Sequence, residues 1–277
     1  MRSHSPTPGV TVLADAVEIP GLGHLPVNAF VLHAAQPVLV DTGMPAQREE
    51  LLDLLWEAVD PEQLRWIWLT HPDRDHTGAL ADVLEAAPQA RLVTTFIGMG
   101  ILSIEHDVPP DRVFLLNPGQ SLDLGDRRLR CFRPPLFDSP ATTGFVDDRT
   151  GVVFSSDFCG GPQTSAEAAL ADDVSDLPAG EIAAAQQLWA TVDSPWVHTL
   201  DRQRFADSLA AFGTPEVVLS THLPPARGRS ATFLDTLRAV PELPPFVGPD
   251  QAALEALLAG FEPPQQRSAE DAATAPA

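Results

Sequence analysis

Two histidines and two aspartates crowd into six positions at the end of an apolar run, within the sequence LTHPDRDHTGAL of residues 69–80. They are His71, Asp73, Asp75 and His76. Neutral imidazoles and carboxylates are the groups that bind divalent first-row metal ions in proteins. Without a cation, the aspartates would repel one another and would be poorly solvated. The cluster therefore predicts a metal site.

The local geometry of this cluster can be predicted from its neighbours. In an extended segment alternate side chains share a face, so His71, Asp73 and Asp75 are expected to project together, with His76 added where the next helix begins. Pro72 argues against a helix in which His71 and Asp75 lie four residues apart. The alternative is a polar loop in which one of the aspartates caps the following helix.

Two more residues of ligand type stand at the ends of predicted strands. Asp157 closes GVVFSSD, residues 151–157, and His222 closes PEVVLSTH, residues 215–222. Singly, each is more typical of a capping aspartate or a loop histidine. Together with the cluster they form a set that predicts one shared site.

The apolar patterns predict the elements that must position this set. Runs rich in β-branched and aromatic residues indicate strands, and apolar residues at helical spacing indicate helices. Strands are expected at residues 10–19, 27–34, 37–43, 64–70, 91–96, 112–116, 127–133, 143–148, 151–157 and 215–222. Helices are expected at residues 45–59, 78–87, 178–212, 229–240 and 251–260.

This order of elements indicates an α/β fold. It is compatible with two sheets back to back and helices on both outer faces, which is a four-layer αββα sandwich. We expect one metal-binding domain over residues 8–262. Residues 263–277 cannot bury enough apolar area to order themselves, so they are expected to form a disordered tail.

Composition limits the classes of partner. The chain has 277 residues and a formal net charge of -21. Such a surface repels phosphate backbones and anionic headgroups, so we expect no nucleic acid and no membrane as partners. No apolar stretch reaches the about 18 residues of a membrane span, and no signal-peptide pattern opens the sequence, which favours a cytoplasmic protein. Cys131 and Cys159 are expected to be buried free thiols.

The motifs, taken in order, resemble the metallo-β-lactamase fold over about residues 8–240. The quoted motifs are VDTG (40–43), THPDRDHTG (70–78), SSD (155–157) and STH (220–222). The family's usual ligand motif is His-x-His-x-Asp-His, and here Asp73 stands in place of the second histidine. A carboxylate there is similar to the His-x-Glu-x-Asp-His subgroup, the di-iron domains of flavodiiron proteins and related oxygen-binding di-iron proteins. Residues 134–160 also resemble that subgroup.

The resemblance implies a ligand set and a metal. It implies that His71 and Asp73 hold one metal ion and that Asp157 bridges it to a second. The second ion is then held by Asp75, His76 and His222. Oxygen-rich ligands suit iron, at one or two ions per chain, with Zn or Mn as alternatives.

Two further residues are candidates for supporting roles. Asp41 matches the aspartate of the family's Asp-Thr-Gly turn, which supports the ligand loop, although a turn that needs Gly43 for its backbone angles explains the motif equally well. His24 lies in a glycine-rich loop, PGLGHLP, that could overhang the site.

The sequence departs from the family pattern at one ligand. The family places a histidine just before an Asp-Ser pair, but residues 131–142 contain none and Pro135 or a neighbour takes its place. The first metal then has three protein ligands, unless Asp138 or water completes it. Either this ion is weakly held and has an open coordination position, or the protein keeps only the second ion.

Three functions are compatible with these residues. The first is a non-haem iron site that binds or reduces O2 or NO, with electrons from a separate donor protein, because flavodiiron proteins append an FMN domain and this sequence ends soon after residue 260. The second is hydrolysis of a small ester, lactone, thioester or phosphodiester by metal-bound hydroxide, with Asp75 as the catalytic residue that orients the nucleophile. The third is a metal-poor binding module. A homodimer is left open.

Overall fold

Seven strands form the first of two sheets in the computed structural model, which describes residues 1–259. The strands lie in chain order, antiparallel from β1 to β4 and parallel from β4 to β7. They are β1 (Arg2–Thr7), β2 (Val10–Ile19), β3 (Gly23–Leu32), β4 (Val38–Val40), β5 (Trp66–Trp68), β6 (Arg91–Thr94) and β7 (Val113–Leu115).

Six strands form the second sheet, in the order β13-β12-β11-β10-β9-β8. Its strands are β8 (Ser121–Asp123), β9 (Arg128–Phe132), β10 (Gly144–Asp147), β11 (Val153–Phe154), β12 (Val217–Leu219) and β13 (Ala226–Arg227). Only β11 and β12 pair in parallel. Because these two strands share a direction, the segments that follow them leave the sheet at the same edge.

The α-helices are α1 (Arg48–Ala58), α2 (Arg74–Thr77), α3 (Leu80–Ala86), α4 (Phe96–Leu102), α5 (Ala166–Ala169), α6 (Ala179–Asp193), α7 (Arg202–Phe212), α8 (Ser230–Arg238) and α9 (Gln251–Ala259). Short 3-10 helices occupy Pro45–Gln47, Pro110–Arg112, Val174–Asp176, Pro195–Thr199 and Val240–Glu242. The long segment expected to be helical, residues 178–212, is thus two helices separated by a 3-10 turn.

Alternation along the strands divides the core into layers. Successive side chains of a strand point to opposite faces, so Phe30 and Leu32 of β3 face the second sheet whereas Val31 faces the helices. Phe30 meets Phe154 of β11 edge-on at 5.5 Å, and Phe154 stacks on Phe145 of β10 at 4.4 Å. Each buried ring of this kind contributes about 1.5–3 kcal/mol. The inter-sheet core is therefore built from both sheets.

Helices cover both outer faces, so the expected four-layer αββα sandwich is confirmed. Leu51 and Leu55 of α1 pack with the outward residues of the first sheet. On the other side, Ile182 of α6 and Phe233 of α8 pack with Val218 of β12. Both sheets and helices α1 to α8 belong to one unit, Met1–Pro245.

Several elements were not expected from the sequence. β1 precedes the expected start of the domain and pairs with β2 at the edge of the sheet. β8 and β13 are edge strands of two or three residues, too short to carry a pattern. Helix α4 begins after Thr95, whose side chain accepts a hydrogen bond from the Gly98 N–H. This cap also ends the expected strand 91–96 at Thr94.

Helix α9 belongs to a second unit that begins at Phe246. It matches the helix expected at residues 251–260. The expected tail, residues 263–277, lies outside the described residues. Within residues 1–259, no helix is both long and apolar enough to cross a membrane.

Candidate metal centre

The histidine and aspartate cluster follows β5 and enters a short helix. His71 and His76 are buried, and His76 lies in α2, which begins at Arg74. The extended geometry expected through Asp75 is therefore wrong, because the chain becomes helical two residues after Pro72. Asp73 occupies the N-cap position of α2, but its side chain makes no capping hydrogen bond. Its carboxylate is therefore available to the site.

Asp157 places one carboxylate oxygen toward each of two groups of histidines. Its Oδ2 lies 3.4 Å from Nε2 of His71. Its Oδ1 lies 3.3 Å from Nε2 of His76 and 3.4 Å from Nε2 of His222. Asp157 follows β11 and His222 follows the parallel strand β12, so the sheet edge brings them together. The carboxylate thus divides the centre into two positions.

The second position, as we call it, lies on the Oδ1 side of Asp157 and is completed by Asp75, His76 and His222. Oδ2 of Asp75 is 3.6 Å from Nε2 of His76 and 3.4 Å from Nε2 of His222. Ligand atoms of these three residues lie within 4.8 Å of one another. The Asp75 side chain is 30% exposed, so this position opens to solvent on one side.

The first position lies on the Oδ2 side of Asp157, around His71. Oδ2 of Asp138 is 3.4 Å from Nε2 of His71, and Oδ2 of Asp73 is 4.0 Å from the same atom. The side chains of Asp73 and Asp138 are 53% and 22% exposed, so they form the rim of the centre. Asp138, left open at the sequence level, is therefore in contact with the cluster.

Asp193 was missed by sequence reasoning. It is the last residue of α6, and its carboxylate lies within 4.8 Å of ligand oxygens of Asp138 and Asp157. Nothing in its neighbourhood, ATVDSPW, marks it as a ligand, because its position depends on how α6 packs on the second sheet. His24, in contrast, pairs through its backbone with Gln163 and belongs to no potential ligand group among the described residues.

Asp41 fixes the orientation of His76. Its Oδ2 lies 2.8 Å from Nδ1 of His76 and accepts a hydrogen bond from the Thr70 hydroxyl, and its Oδ1 accepts from the Thr70 N–H. A carboxylate next to Nδ1 keeps the proton there and leaves the Nε2 lone pair for a cation. Asp41 has a φ of 56°, a strained conformation that this network maintains.

His222 is oriented from the first sheet. Its Nδ1 lies 2.7 Å from the carbonyl oxygen of Pro26, which can only accept, so the proton is on Nδ1 and Nε2 faces the centre. Asn28, buried on β3, donates from its side chain to the carbonyl oxygens of Ser220 and Leu223. The loop that carries His222 is thus held by the opposite sheet.

The histidines of the second position are surrounded by negative charge. Burial opposes a charge on His76, but nearby carboxylates outweigh it and raise its pKa well above the usual value. The main contributors are Asp75, Asp41 and Asp157. Burial also opposes a charge on His222, and Asp157 and Asp75 raise its pKa to about 9. The pocket stabilises positive charge, which a bound cation would supply.

The pKa values of the buried carboxyl groups of Asp157 and Asp193 are shifted in opposite directions. Burial opposes the charge of Asp157, but His71 and His222 outweigh it and lower its pKa. At Asp193, burial and the charges of Asp157 and Asp138 act in the same direction and raise the pKa to about 8. At neutral pH the Asp193 carboxyl is therefore largely protonated unless a cation lies beside it.

Orphaned polar atoms indicate that the centre fits a cation. Nε2 of His76 and Oδ1 of Asp157 are buried and have no hydrogen-bond partner among the described residues. Leaving such groups unpaired costs about 1–3 kcal/mol each, and more for charged groups. Both atoms face the space between the ligand groups. Histidine nitrogens and carboxylate oxygens together are the donor set that first-row metals take.

A small cavity adjoins the centre on the side of α6. It measures about 10 Å³, and Asp157, Asp193, Gln186 and Trp189 are among its lining residues. This volume is about that of one water molecule or ion. Oε1 of Gln186 and Nε1 of Trp189 also have no hydrogen-bond partner in the part of the chain that is described. The cavity is therefore polar and suited to an ordered water.

Part of the chain is similar in sequence to known proteins. The profile of the metallo-beta-lactamase superfamily matches residues 22–158. Diflavin flavoprotein A 1 of Synechocystis is 28% identical over 163 residues, which are 58% of this chain and 27% of that protein. The chain therefore matches about a quarter of the length of this curated relative.

Solved structures show the same fold. Rubredoxin oxygen:oxidoreductase from Desulfovibrio gigas superposes with a TM-score of 0.73 at 19% identity, covering 86% of this chain and 61% of that one. The flavodiiron protein from Giardia intestinalis gives a TM-score of 0.75 at 17% identity, covering 87% of this chain and 60% of that one. At these identities the likeness concerns the fold.

Proposed function

The chain belongs to the metallo-beta-lactamase superfamily through residues 22–158, and on this premise we propose that it is a non-haem iron protein that binds or reduces O2 or NO. The iron is held at one or both positions by His71, Asp73, Asp75, His76, Asp157 and His222. Electrons come from a separate donor protein. The relatives named as flavodiiron proteins and as an oxygen oxidoreductase support this choice over other activities of the superfamily.

The observation that carries the proposal is the placement of Asp157 between two histidine groups. One carboxylate whose oxygens face His71 on one side and His76 and His222 on the other is suited to bridge two cations. A carboxylate that served only to stabilise the fold would be expected to have hydrogen-bond partners on both oxygens. Oδ1 of Asp157 has none among the described residues.

The chain's own residues provide an enclosed, oriented centre. When bound, iron would supply redox chemistry at this centre. Asp41 and the Pro26 carbonyl keep the protons of His76 and His222 on Nδ1, away from the centre. The three histidines are buried, and the partly exposed rim of Asp73, Asp75 and Asp138 leaves an entrance for a diatomic molecule.

Hydrolysis is the second candidate, favoured by one observation. Asp75 is partly exposed and lies within 3.6 Å of the Nε2 atoms of both His76 and His222. A carboxylate in that place could orient a water molecule toward a small ester-like substrate. The first position, which is rich in carboxylates and has one histidine, favours the redox candidate because oxygen ligands suit iron better than zinc.

The test is anaerobic purification without added metal, followed by metal analysis and by optical and paramagnetic resonance spectra before and after O2 or NO. We expect one to two iron ions per chain and a spectral change with either gas. His76→Ala should lose the iron of the second position and reduce the spectral change, whereas His106→Ala, at a histidine outside every potential ligand group among the described residues, should match wild type in both measurements. Stoichiometric zinc with esterase activity would overturn the proposal.

A further inference from the structure

We propose that Asp138 and Asp193 take the place of the missing histidine and complete the first position as a carboxylate-rich site for a hard divalent cation, Fe²⁺ or Mn²⁺. This inference rests on the proposed function, because it requires that the centre binds metal. It adds Asp138 and Asp193 to the six candidate ligands of the proposed function, and it assigns the first position a preference for hard cations.

The spacing of the carboxylates supports a shared cation. Ligand oxygens of Asp138, Asp157 and Asp193 lie within 4.8 Å of one another. Two oxygens that bind one divalent ion at about 2.1 Å are at most about 4.2 Å apart, so a small inward movement brings this trio to ligand distance. His71 lies 3.4 Å from Oδ2 of both Asp138 and Asp157 and adds a nitrogen ligand.

Asp138 has one oxygen held by its own loop and one directed to the centre. Its Oδ1 accepts hydrogen bonds from the Ser139 N–H at 2.6 Å and the Thr142 hydroxyl at 3.1 Å. Its Oδ2 is the atom that approaches His71. The loop therefore presents Asp138 in a fixed orientation, as ligands need.

Asp193 has no evident role in the stability of its helix. It is the last residue of the 15-residue helix α6, where the helix dipole disfavours a negative charge. Among residues 1–259, its one side-chain hydrogen bond is a long contact of 3.4 Å from the Ser194 hydroxyl. A cation between Asp193, Asp157 and Asp138 would compensate both the dipole and the mutual repulsion.

An independent observation points to a ligand at the same place. Oε1 of Gln186 is a buried side-chain oxygen with no hydrogen-bond partner in the described chain, and Gln186 is 1% exposed. Gln186, Asp157 and Asp193 line the same cavity of about 10 Å³. Two of the three carboxylates therefore adjoin a small space that a cation or an ordered water could fill, and Asp138 lies at the rim of the centre.

The two positions differ in the chemistry of their ligands. The first has one imidazole and four carboxylates, from His71 and from Asp73, Asp138, Asp157 and Asp193. The second has two imidazoles, from His76 and His222, and two carboxylates, from Asp75 and Asp157. Carboxylates suit Mn²⁺ and Fe²⁺, whereas imidazoles also suit zinc. The ratio of zinc to manganese affinity is therefore smaller at the first position.

The experiment titrates the metal-free full chain with Mn²⁺ and counts bound ions by paramagnetic resonance and elemental analysis. Wild type is expected to bind two ions. Asp193→Asn and Asp138→Asn should keep one ion and bind the other at least roughly tenfold more weakly. Asp53→Asn, on the exposed surface of α1, is the matched control and should bind two ions like wild type.

Thermal unfolding adds a second measurement. Without metal, Asp193→Asn should leave the midpoint about unchanged, because the Asp193 carboxyl, with a pKa of about 8, is largely protonated at pH 7 and is replaced by an amide of the same shape. With Mn²⁺, the variant should have a lower midpoint than wild type. A lower unfolding midpoint of Asp193→Asn both with and without Mn²⁺ would assign Asp193 a structural role and overturn the inference. Two ions bound equally well by Asp193→Asn, or a single ion in wild type, would also overturn it and leave the proposed function intact. No metal bound by wild type would overturn both.

Discussion

Nδ1 of His76 lies 2.8 Å from Oδ2 of Asp41, across 35 residues of sequence and between two loops of the first sheet. The contact joins the turn after β4 to the ligand helix after β5. It decides which nitrogen of His76 faces the centre, so Asp41 acts on metal binding without reaching the metal.

Asp41→Asn should weaken metal binding at the second position by about 10- to 100-fold, because the amide no longer holds the Nδ1 proton of His76 as a carboxylate does. Asparagine tolerates the positive φ of 56° at this place, so the backbone should be retained. Metal titration of the purified variant measures the effect. An unchanged affinity would show that Asp41 only shapes the turn.

Removing ligands from the two positions should have different effects. His76→Ala or His222→Ala removes an imidazole from the second position and should release the more tightly held ion. Asp73→Ala should mainly weaken the other ion, because Asp73 lies on the exposed rim of the first position, 4.0 Å from His71. Elemental analysis after dialysis compares the three variants. Equal metal content in all of them would contradict the assignment.

Gly160→Ala should displace His222. A Cβ at Gly160 would come within 2.6 Å of the His222 Cβ and 2.7 Å of the Asp157 carbonyl oxygen, distances that neither can accommodate without moving. We expect the loss of one metal ion per chain. Gly180→Ala is the control, since nothing lies within 4 Å of its Cβ and alanine favours the helix by up to about 1 kcal/mol. Similar metal loss in both variants would refute this explanation.

Asn28→Ala should lower the free energy of unfolding by about 1–3 kcal/mol, because it leaves the buried carbonyl oxygens of Ser220 and Leu223 without their donor. Urea denaturation measures the change. Asn117→Ala, at an exposed asparagine, should change stability by less than about 0.5 kcal/mol. If the two variants match, the link between β3 and the His222 loop does not stabilise the fold.

The free energy of unfolding above pH 9 should depend on the two buried cysteine thiols. Lysine and tyrosine are absent from the sequence, so apart from the histidines of the metal centre few other side chains titrate between pH 9 and 11. Burial raises the pKa of Cys131 from 9.0 to about 12 and raises that of Cys159 as well. Above pH 9 the unfolded chain loses thiol protons that the folded chain keeps.

Stability should therefore fall as pH rises above 9, by about 1.4 kcal/mol per pH unit for each thiol, until the folded thiols ionise as well. Urea denaturation at pH 8, 9, 10 and 11 gives the slope. Cys131→Ala should reduce this slope by the contribution of one thiol. A flat profile for wild type would mean that the thiols are accessible in the folded state.

Much of the fold could be predicted from the sequence, because alternation in strands and helical spacing are local signals. Strand β2 coincides with the expected residues 10–19, and α1 lies within the expected 45–59. The edge strands could not be predicted, because β8 and β13 are stabilised by pairing with a neighbour and not by their own composition. The helical turn at Arg74–Thr77 was missed for a related reason: four residues are too few for a periodic pattern.

The residues that the structure brings together at the candidate site differ in how far the sequence could point to them. His71, Asp157 and His222 stand at strand ends, where sequence order and fold place them at one edge. Asp193 belongs to no motif, and it reaches the centre only because α6 packs against the second sheet. Asp138 could be raised as an alternative, but its orientation depends on hydrogen bonds to Ser139 and Thr142.

The candidate ligands come from both halves of the sandwich: His71 and His76 extend from the first sheet, and Asp157 and His222 from the second. A cation bound among them would link the two sheets and would have to dissociate before the sheets can separate. At a free metal concentration 100 times its dissociation constant, one such ion adds about 2.7 kcal/mol to the resistance against unfolding. Metal starvation should then expose the chain to cellular proteases, so that the supply of the ion sets how long each molecule survives.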